Sequence, residues 1–462
     1  MSLAVSILFF VLLLIIVRKI GPYHFPMWAS MTFGALAVLL FKQISFSEAF
    51  DAISWDVIFF LFGMFVVGAA IDLSGILNRF VSKSVEKYPS ANSFLFFFIF
   101  FAGFLSALLM NDTVAVILTP FAIRCARLNK IPSKILLFAL AASVTTGCLL
   151  SPVGAPPNLI IATHAFNGSF IPFFVYLAVP ALLSLLALYF YLRMRMKSDK
   201  RKNLNKTDIN KTNNLNKTDI NKTNNLNKIN NLNKINNLNK TEYIKSNPNE
   251  TDYFSPCPVL ETEKDPALCR LTLLSLSLIV LLILSSVFFS LFWKPIPLVL
   301  ISFAGAFLLL FFSKRRMELL QKTDWKTLLF FVSMFVLIKA VHITGFFQNH
   351  IPESFDSSLP VLYSVSLILS QFISNVPYVS LALPFLETAE PVYYMTLLAG
   401  STIAGNLTIF GAASNVIIIQ NAEKSGETLT FFEFFKFGAP IVLIQSFIFL
   451  SWLLFIFILR AV

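Results

Sequence analysis

Charge is what this chain of 462 residues has little of. Asp, Glu, Lys and Arg make up 13% of it while 56% is hydrophobic, against the roughly one quarter charged residues of soluble domains, so an ordinary soluble fold is excluded. Histidine is nearly as scarce: His24, His164, His342 and His350 are the whole set, and none sits in an HExxH pattern. With no Ser/Lys dyad and no paired aspartates on adjacent helices, a membrane-embedded enzyme has no visible machinery. The four cysteines, Cys125, Cys148, Cys257 and Cys269, show neither metal spacing nor a disulfide framework. No ATP-binding or cofactor motif is present, so the cofactor expectation is none. A leader is missing too: residues 1 to 17 are apolar from the second position, lack a basic n-region and run into "VRKIGPYHF", which predicts a first membrane helix rather than a cleaved signal.

What the chain does have is near-uncharged runs close to the roughly 20 residues that cross a bilayer. The expected fold is an all-α polytopic membrane protein, multi-pass in a plasma membrane, with the bacterial inner membrane as the expected location. The formal charge of +12 sits mostly in loops and in one low-complexity segment, so membrane orientation explains it and nucleic acid is not an expected partner. That segment spans residues 197–265. It repeats "NKTDINKTNNL" at 205–215 and 216–226 and then "NKINNL" twice. Such a tract has too little apolar surface to offset its ordering entropy, which predicts a disordered cytoplasmic linker. Its lysines also suit an anionic leaflet.

The linker divides residues 1–196 from residues 266–462, and the two parts resemble each other. "SWDVIFFLFGMFVVGAAIDLSGILNRF" from Ser54 matches "DWKTLLFFVSMFVLIKAVHITGFFQNH" from Asp324. "LSALLMNDTVAVILTPF" from Leu105 matches "LSQFISNVPYVSLALPF" from Leu369. "LAASVTTGCLLSPVGAPPNLII" from Leu140 matches "LAGSTIAGNLTIFGAASNVII" from Leu398, with one residue gained before the glycine. Basic clusters at Arg124/Arg127/Lys130/Lys134, Arg193/Arg195/Lys197 and Lys314/Arg315/Arg316 are assigned to the cytoplasm, with Arg79, Lys83 and Lys87. Residues 93–123 then enter and leave on one side as a re-entrant hairpin, and 135–165 is one span broken at "SPVGAPPN". In the second half the loops at 346–358 and 387–391 lack Lys and Arg, so hairpin 359–386 opens outward and 392–420 is the broken span. Each half thus has five spans plus a hairpin, an odd number of crossings, and the expected repeats are inverted. Lys42 and Arg460 fall on the wrong side of this arrangement.

Inverted repeats with paired broken helices place solute and ions near the bilayer midplane. The candidate binding residues are therefore those at the tips and breaks: Asn111, Asp112 and Thr113; Gly154 and Asn158; Ser374 and Asn375; Gly411, Ser414 and Asn415. Asp at the centre of a membrane helix costs roughly 2.5 to 3.5 kcal/mol on insertion scales, a cost that function explains if Asp112 exchanges a proton or neutralises a cation. The bland alternative is an ion pair with a buried cation such as Lys339. The asparagines serve equally as interhelical hydrogen-bonding groups. Pro156, Pro157 and Pro377 remove backbone donors and Gly154 and Gly411 permit unusual dihedrals, which should free helix ends and carbonyls for ligands. Asp72, Lys339 and His342 form either a proton path or a structural ion pair. Cys148 offers a thiol near the break or is a small core residue.

Taken together, the polar hairpin tip followed by "TP", then "GAPPN", "SNVP" and "GAASN" with "AEKSG" at Ala422 to Gly426, resemble the ion transporter superfamily. That group holds arsenite permeases, citrate transporter-like proteins, sodium/proton antiporters and divalent anion/sodium symporters. The resemblance implies a scaffold, a moving transport domain, often a homodimer, and alternating access. Sodium-coupled dicarboxylate carriers have Ser-Asn-Thr at both tips, where sodium and carboxylate bind; this chain has Asn111-Asp112-Thr113 and Ser374-Asn375-Val376. It is thereby more similar to the arsenite permeases and proton-linked antiporters. The expectation is a proton-linked secondary transporter of a small anion or oxyanion, arsenite-type, with H+ or Na+ as coupling ion. Sodium/proton antiport, sodium-coupled citrate or dicarboxylate symport and a passive channel are the alternatives. A separate ATPase could join an arsenite-type pump.

Overall fold

The computed structural model describes residues 2–76 apart from 18, 21, 22 and 25, then 87–129 apart from 89, 131–197, 265–346, 358–386 and 389–461. The linker from 198 to 264 and residues 77–86, 347–357 and 387–388 lie outside the described residues. Residues 1–192 with 262–462 form one compact unit, and residues 193–261 are a second. Among the described residues the regular structure of the first unit is helical apart from a short ribbon in which Lys19 pairs with His24 and Ile20 with Tyr23.

Among the described residues seven helices are long and apolar enough to cross a membrane: Trp55–Ser74, Ala91–Leu109, Ser133–Leu150, Phe173–Lys197, Pro266–Ser290, Trp325–Ile343 and Phe431–Arg460. Leu3–Val17, Met27–Leu40 and Leu298–Phe312 are equally apolar but shorter. Large side chains such as Phe288, Phe307, Leu443 and Phe447 are exposed on their flanks, as lipid contact requires. At the end of Met27–Leu40 a polar turn leads to Ser45, which caps Phe46–Ala52 in a reciprocal capping box with Glu48. Those hydrogen bonds hold the Glu48 carboxyl below its usual range.

Helices of the two halves are exchanged reciprocally. Trp55–Ser74 packs on Leu298–Phe312, where Gly63 meets the backbone and side chain of Ser302, and Trp325–Ile343 packs on Met27–Leu40, where Gly34 meets Leu337. Thr32 and Ser333 add a hydrogen bond at 3.1 Å across the second contact. Small residues at each crossing let the backbones approach, the rule for helix association in an apolar solvent.

Two helical hairpins and two interrupted helices lie beside these. The first hairpin joins Ala91–Leu109 to Asn111–Leu128 through Met110, and the second joins Leu359–Ile373 to Asn375–Ala382 through Ser374. The first interrupted helix comprises Ser133–Gly147 and Pro156–Phe166; the second comprises Pro391–Ile403 and Ala413–Glu423. They run antiparallel to each other. Phe166, ending the first, meets Tyr394 near the start of the second, with ring centroids 5.9 Å apart. Phe138, near the start of the first, meets Phe434 at 5.1 Å on Phe431–Ala461, which follows the end of the second. Lys134 pairs there with Glu433 at 2.5 Å. Arg460, one of the two cations that charge placement left on the unexpected side, stacks over the Tyr176 ring at 5.0 Å, a contact that lets its guanidinium sit against an aromatic face.

Hairpin and interrupted helix within the first half touch backbone to backbone, because a Cβ on Gly147 would overlap the backbone of Gly103. Gly147→Val is therefore expected to cost an overpacking penalty of about 1–3 kcal/mol. A thermal melt of the detergent-solubilised protein checks it, and an unchanged midpoint would mean that the crossing can open without loss.

Candidate functional site

Each hairpin turns on one residue in a left-handed conformation. Met110 has φ 67 and Ser374 has φ 72, and the internal repeat aligns these two positions. Neither is glycine, so each turn stores strain of order 1–3 kcal/mol that the surrounding packing must overcome. Asn111 follows directly; its backbone N–H donates to Gly154 O at 2.8 Å, and its side-chain Oδ1 accepts from Asp112 N at 2.9 Å. The first tip is thus bonded to the first break.

The breaks are held by the two asparagines that the repeat aligns. Asn158 Nδ2 donates to Cys148 O at 2.7 Å and Ser151 O at 2.8 Å, and Asn415 Nδ2 donates to Gly405 O at 2.6 Å and Thr408 O at 3.3 Å. Because each amide nitrogen faces two carbonyls, neither side chain can be turned over without opposing oxygen to oxygen. Their Oδ1 atoms are buried and without a hydrogen-bond partner. So are Asp112 Oδ1 and the hydroxyls of Ser143, Thr145, Ser380, Thr402 and Ser414. Ser106 and Ser370, a further aligned pair, tie each hairpin to the following interrupted helix through Val144 O at 2.8 Å and Ser401 O at 2.9 Å.

The prolines and glycines act otherwise than the sequence predicts. Pro156 and Pro157 are the first two residues of their helix and Pro377 the third of its own, positions whose N–H groups have no helical partner in any case. They start helices rather than remove donors from them. Gly154 and Gly411 do not have positive φ; a Cβ on Gly154 would run into Cys148, and one on Gly411 would lie 2.9 Å from Ala404 O. Close approach, not unusual dihedrals, is what requires glycine there.

The tips and breaks meet across the halves. Asn111–Leu128 packs on Ala413–Glu423, and Asn375–Ala382 packs on Pro156–Phe166. Thr113 sits against Gly68 of Trp55–Ser74. Asp112 has no ion-pair partner among the described residues, and Lys339, its candidate counter-ion, is exposed. Asp72 is exposed as well and pairs with Lys322 at 2.8 Å. It forms no ion pair with Lys339 or His342, the latter half-buried on Trp325–Ile343. Cys148 is buried, with its thiol 3.1 Å from Thr145 O.

Sequence reasoning missed Gln371, Thr146, Asn406 and Gln445. Gln371 Nε2 donates to Ala404 O, and Gln371 Oε1 accepts from Thr408 Oγ1 at 2.8 Å, tying the second hairpin to the second break. Thr146, Asn406 and Gln445 hydrogen-bond to one another. A lone amide in an otherwise apolar helix was the available signal for Gln371 and Gln445.

Four helix N-termini open at these tips and breaks, after Met110, Ala155, Ser374 and Ala412, and none has a side-chain cap. Their positive ends favour acceptor atoms on a ligand, while Asn158 Oδ1, Asn415 Oδ1 and Asp112 favour donors or cations. Within residues 93–123, 135–165, 359–386 and 392–420 the acidic and basic side chains are Asp112 and, at the far end of its helix, His164. A separate apolar groove of about 1080 Å³, lined by Phe33, Leu36, Leu40, Phe41 and Phe46 among others, shares no residue with the tips. Its open hydrocarbon wall suits acyl chains rather than a polar solute.

A family model described as "Citrate transporter" matches residues 11–393. The P protein of Mus musculus is 25% identical over 473 residues, covering 91% of this chain and 56% of the mouse protein, so the chain spans little more than half of that relative. A Dictyostelium discoideum protein named as an arsB transporter is 26% identical over 92% of this chain and 86% of its own length. A silicon efflux transporter of Oryza sativa subsp. japonica is 28% identical over 90% of each chain.

Asn158→Asp keeps the shape of the side chain but sets an oxygen against Cys148 O and Ser151 O. It is expected to cost at least the 1–3 kcal/mol, roughly, of leaving buried groups unsatisfied. The melting midpoint of the solubilised variant reads this loss; a midpoint equal to that of the native chain would show that the amide does not hold the break.

Proposed function

The chain belongs to the citrate transporter family, and on that footing we propose that it is a secondary active transporter of a small oxyanion or its protonated oxyacid, of the arsenite type, coupled to protons through Asp112. It is a multi-pass membrane transporter rather than an enzyme. The observation that carries the narrower reading is the balance of hydrogen-bonding groups at the breaks. Two buried amide oxygens, one carboxyl oxygen and several hydroxyls without partners belong to the same tips and breaks as four uncapped helix N-termini, and no Lys or Arg lies in the hairpins or broken spans as delimited from the sequence. Citrate would set three carboxylates against those oxygens without a cation to neutralise them. A small hydroxylated oxyacid gives hydrogens to the oxygens and accepts from the N-termini, so both sets are satisfied. The names of the arsB and silicon efflux relatives agree with a solute of that kind.

Proton exchange falls to Asp112 because it is the one acidic side chain at the tips and its Oδ1 is buried and unpartnered. The antiparallel broken helices and the reciprocal exchange of Trp55–Ser74 and Trp325–Ile343 support inverted repeats. Alternating access then follows by presenting the same site first to one side and then to the other. Sodium/proton antiport is the second reading. The observation favouring it is that neutral oxygens beside a carboxylate are also the ligands of a hard cation.

In everted membrane vesicles with an imposed proton gradient, the native chain is expected to accumulate arsenite and Asp112→Asn to fall to the level of empty vesicles. Accumulation by the variant equal to the native chain would remove Asp112 from coupling. No accumulation by verified, inserted native chain, together with sodium-driven proton movement, would replace the arsenite reading by antiport.

A further inference from the structure

Asn406 lies outside the hairpin tips, yet it ends the short turn Ala404–Asn406 with which the second break begins. Its Nδ2 donates to Gln445 Oε1 at 2.8 Å and to Thr146 Oγ1 at 3.1 Å, and Gln445 Nε2 donates to the same Thr146 oxygen at 2.9 Å. All three residues are fully buried. The ring joins one strut from each interrupted helix to Phe431–Ala461. That last helix is also pressed onto the break, since a Cβ on Gly438 would overlap Asn406 O and lie 2.9 Å from Leu407 O. Two turns later it delivers Gln445.

A ring that served packing alone would consume its own polar atoms. This one does not: Asn406 Oδ1 is buried without a partner, as is the neighbouring Thr145 Oγ1. Turning both amides over would exchange Oδ1 for Nδ2 at that spot without supplying a partner, so one polar end is left over in either arrangement. An idle buried amide end is destabilising, a cost that apolar residues at 406 and 445 would avoid; the aligned position in the first half is Cys148. The neighbours of Asn406 are already part of the site. Ala404 O accepts from Gln371 of the second hairpin, and Gly405 O accepts from Asn415.

We infer that Asn406 contacts the transported solute, and that Thr146 and Gln445 are positioning residues that hold its amide toward the crossing of the two broken helices. The group it takes is a hydroxyl, which can donate to an amide oxygen or accept from an amide nitrogen. The inference rests on the transporter reading but not on arsenite as the solute.

The test uses the full chain in lipid vesicles with Cys125, Cys148, Cys257 and Cys269 replaced by serine, Asn406→Cys introduced, and a water-soluble methanethiosulfonate reagent added to either side. A chain retaining only Cys269, which is 5% exposed, serves as the buried reference. Cys at 406 is expected to react about tenfold faster than that reference, since thiol reaction requires access, and arsenite should slow it. Slowing by sodium or citrate instead would change the solute while leaving Asn406 in place. Reaction no faster than Cys269, or unaffected by all three solutes, would overturn the inference and leave a dry structural ring. Where arsenite is transported, Gln445→Leu should raise KM about tenfold with the maximal rate little changed, the pattern of a lost binding contact. A fall in maximal rate and folded yield at unchanged KM would mark a structural role only.

Discussion

A break in a membrane helix is tolerable only if the backbone groups it frees find partners inside the protein, and here two asparagine amides provide them. Asn158 gathers the carbonyls of Cys148 and Ser151, and Asn415 those of Gly405 and Thr408. These carbonyls are buried, so a lost bond that nothing replaced would carry the desolvation penalty of the freed group. Everything else at the site is arranged around these two staples. The glycines at 154 and 411 leave space for the loops to fold back, the prolines start the next half-helix, and Asn111 anchors the first tip on Gly154 O.

The staples have a chemical consequence. An amide that spends both hydrogens on the backbone keeps its oxygen free as an acceptor, so the requirement that closes the breaks also leaves one buried, unpartnered acceptor at each. The helix N-termini supply the opposite polarity without any charged side chain. On the proposed reading such a site would select by exclusion: a polyanion would lack a counter-charge, and a large apolar molecule would leave buried oxygens unpaired.

Much of this was legible in the sequence because the cues were periodic or repeated. Hydropathy marked the helices, duplicated blocks paired the tips and breaks, and Asp112 stood out as an acid in an apolar run. What escaped was information that exists only between elements far apart in the chain. Gln445 donates to Thr146, which lies 299 positions away, and Asn406 is 260 from the same threonine; no local pattern connects them. Asp72 and His342 are aligned by the repeat, but their side chains are directed by local helix faces, and Asp72 finds Lys322 instead. Pro156 was read as a breaker because sequence cannot tell the interior of a helix from its first turn.

The two halves share geometry more than chemistry, and the difference argues for divided work. The strained turns at Met110 and Ser374, the staples at Asn158 and Asn415 and the serine ties at Ser106 and Ser370 are common to both. At other aligned positions the halves diverge: Asp112 aligns with Val376, Ala107 with Gln371 and Cys148 with Asn406. The first half therefore carries the group that can change charge, and the second carries amides that cannot. If coupling needed two equivalent ion sites, a carboxyl at position 376 would be the simplest sequence solution, and valine excludes it. Under the proposed reading, a proton on one half and solute hydroxyls on the other would let a single movement carry both, and Thr146 and Asn406 bond the halves to each other.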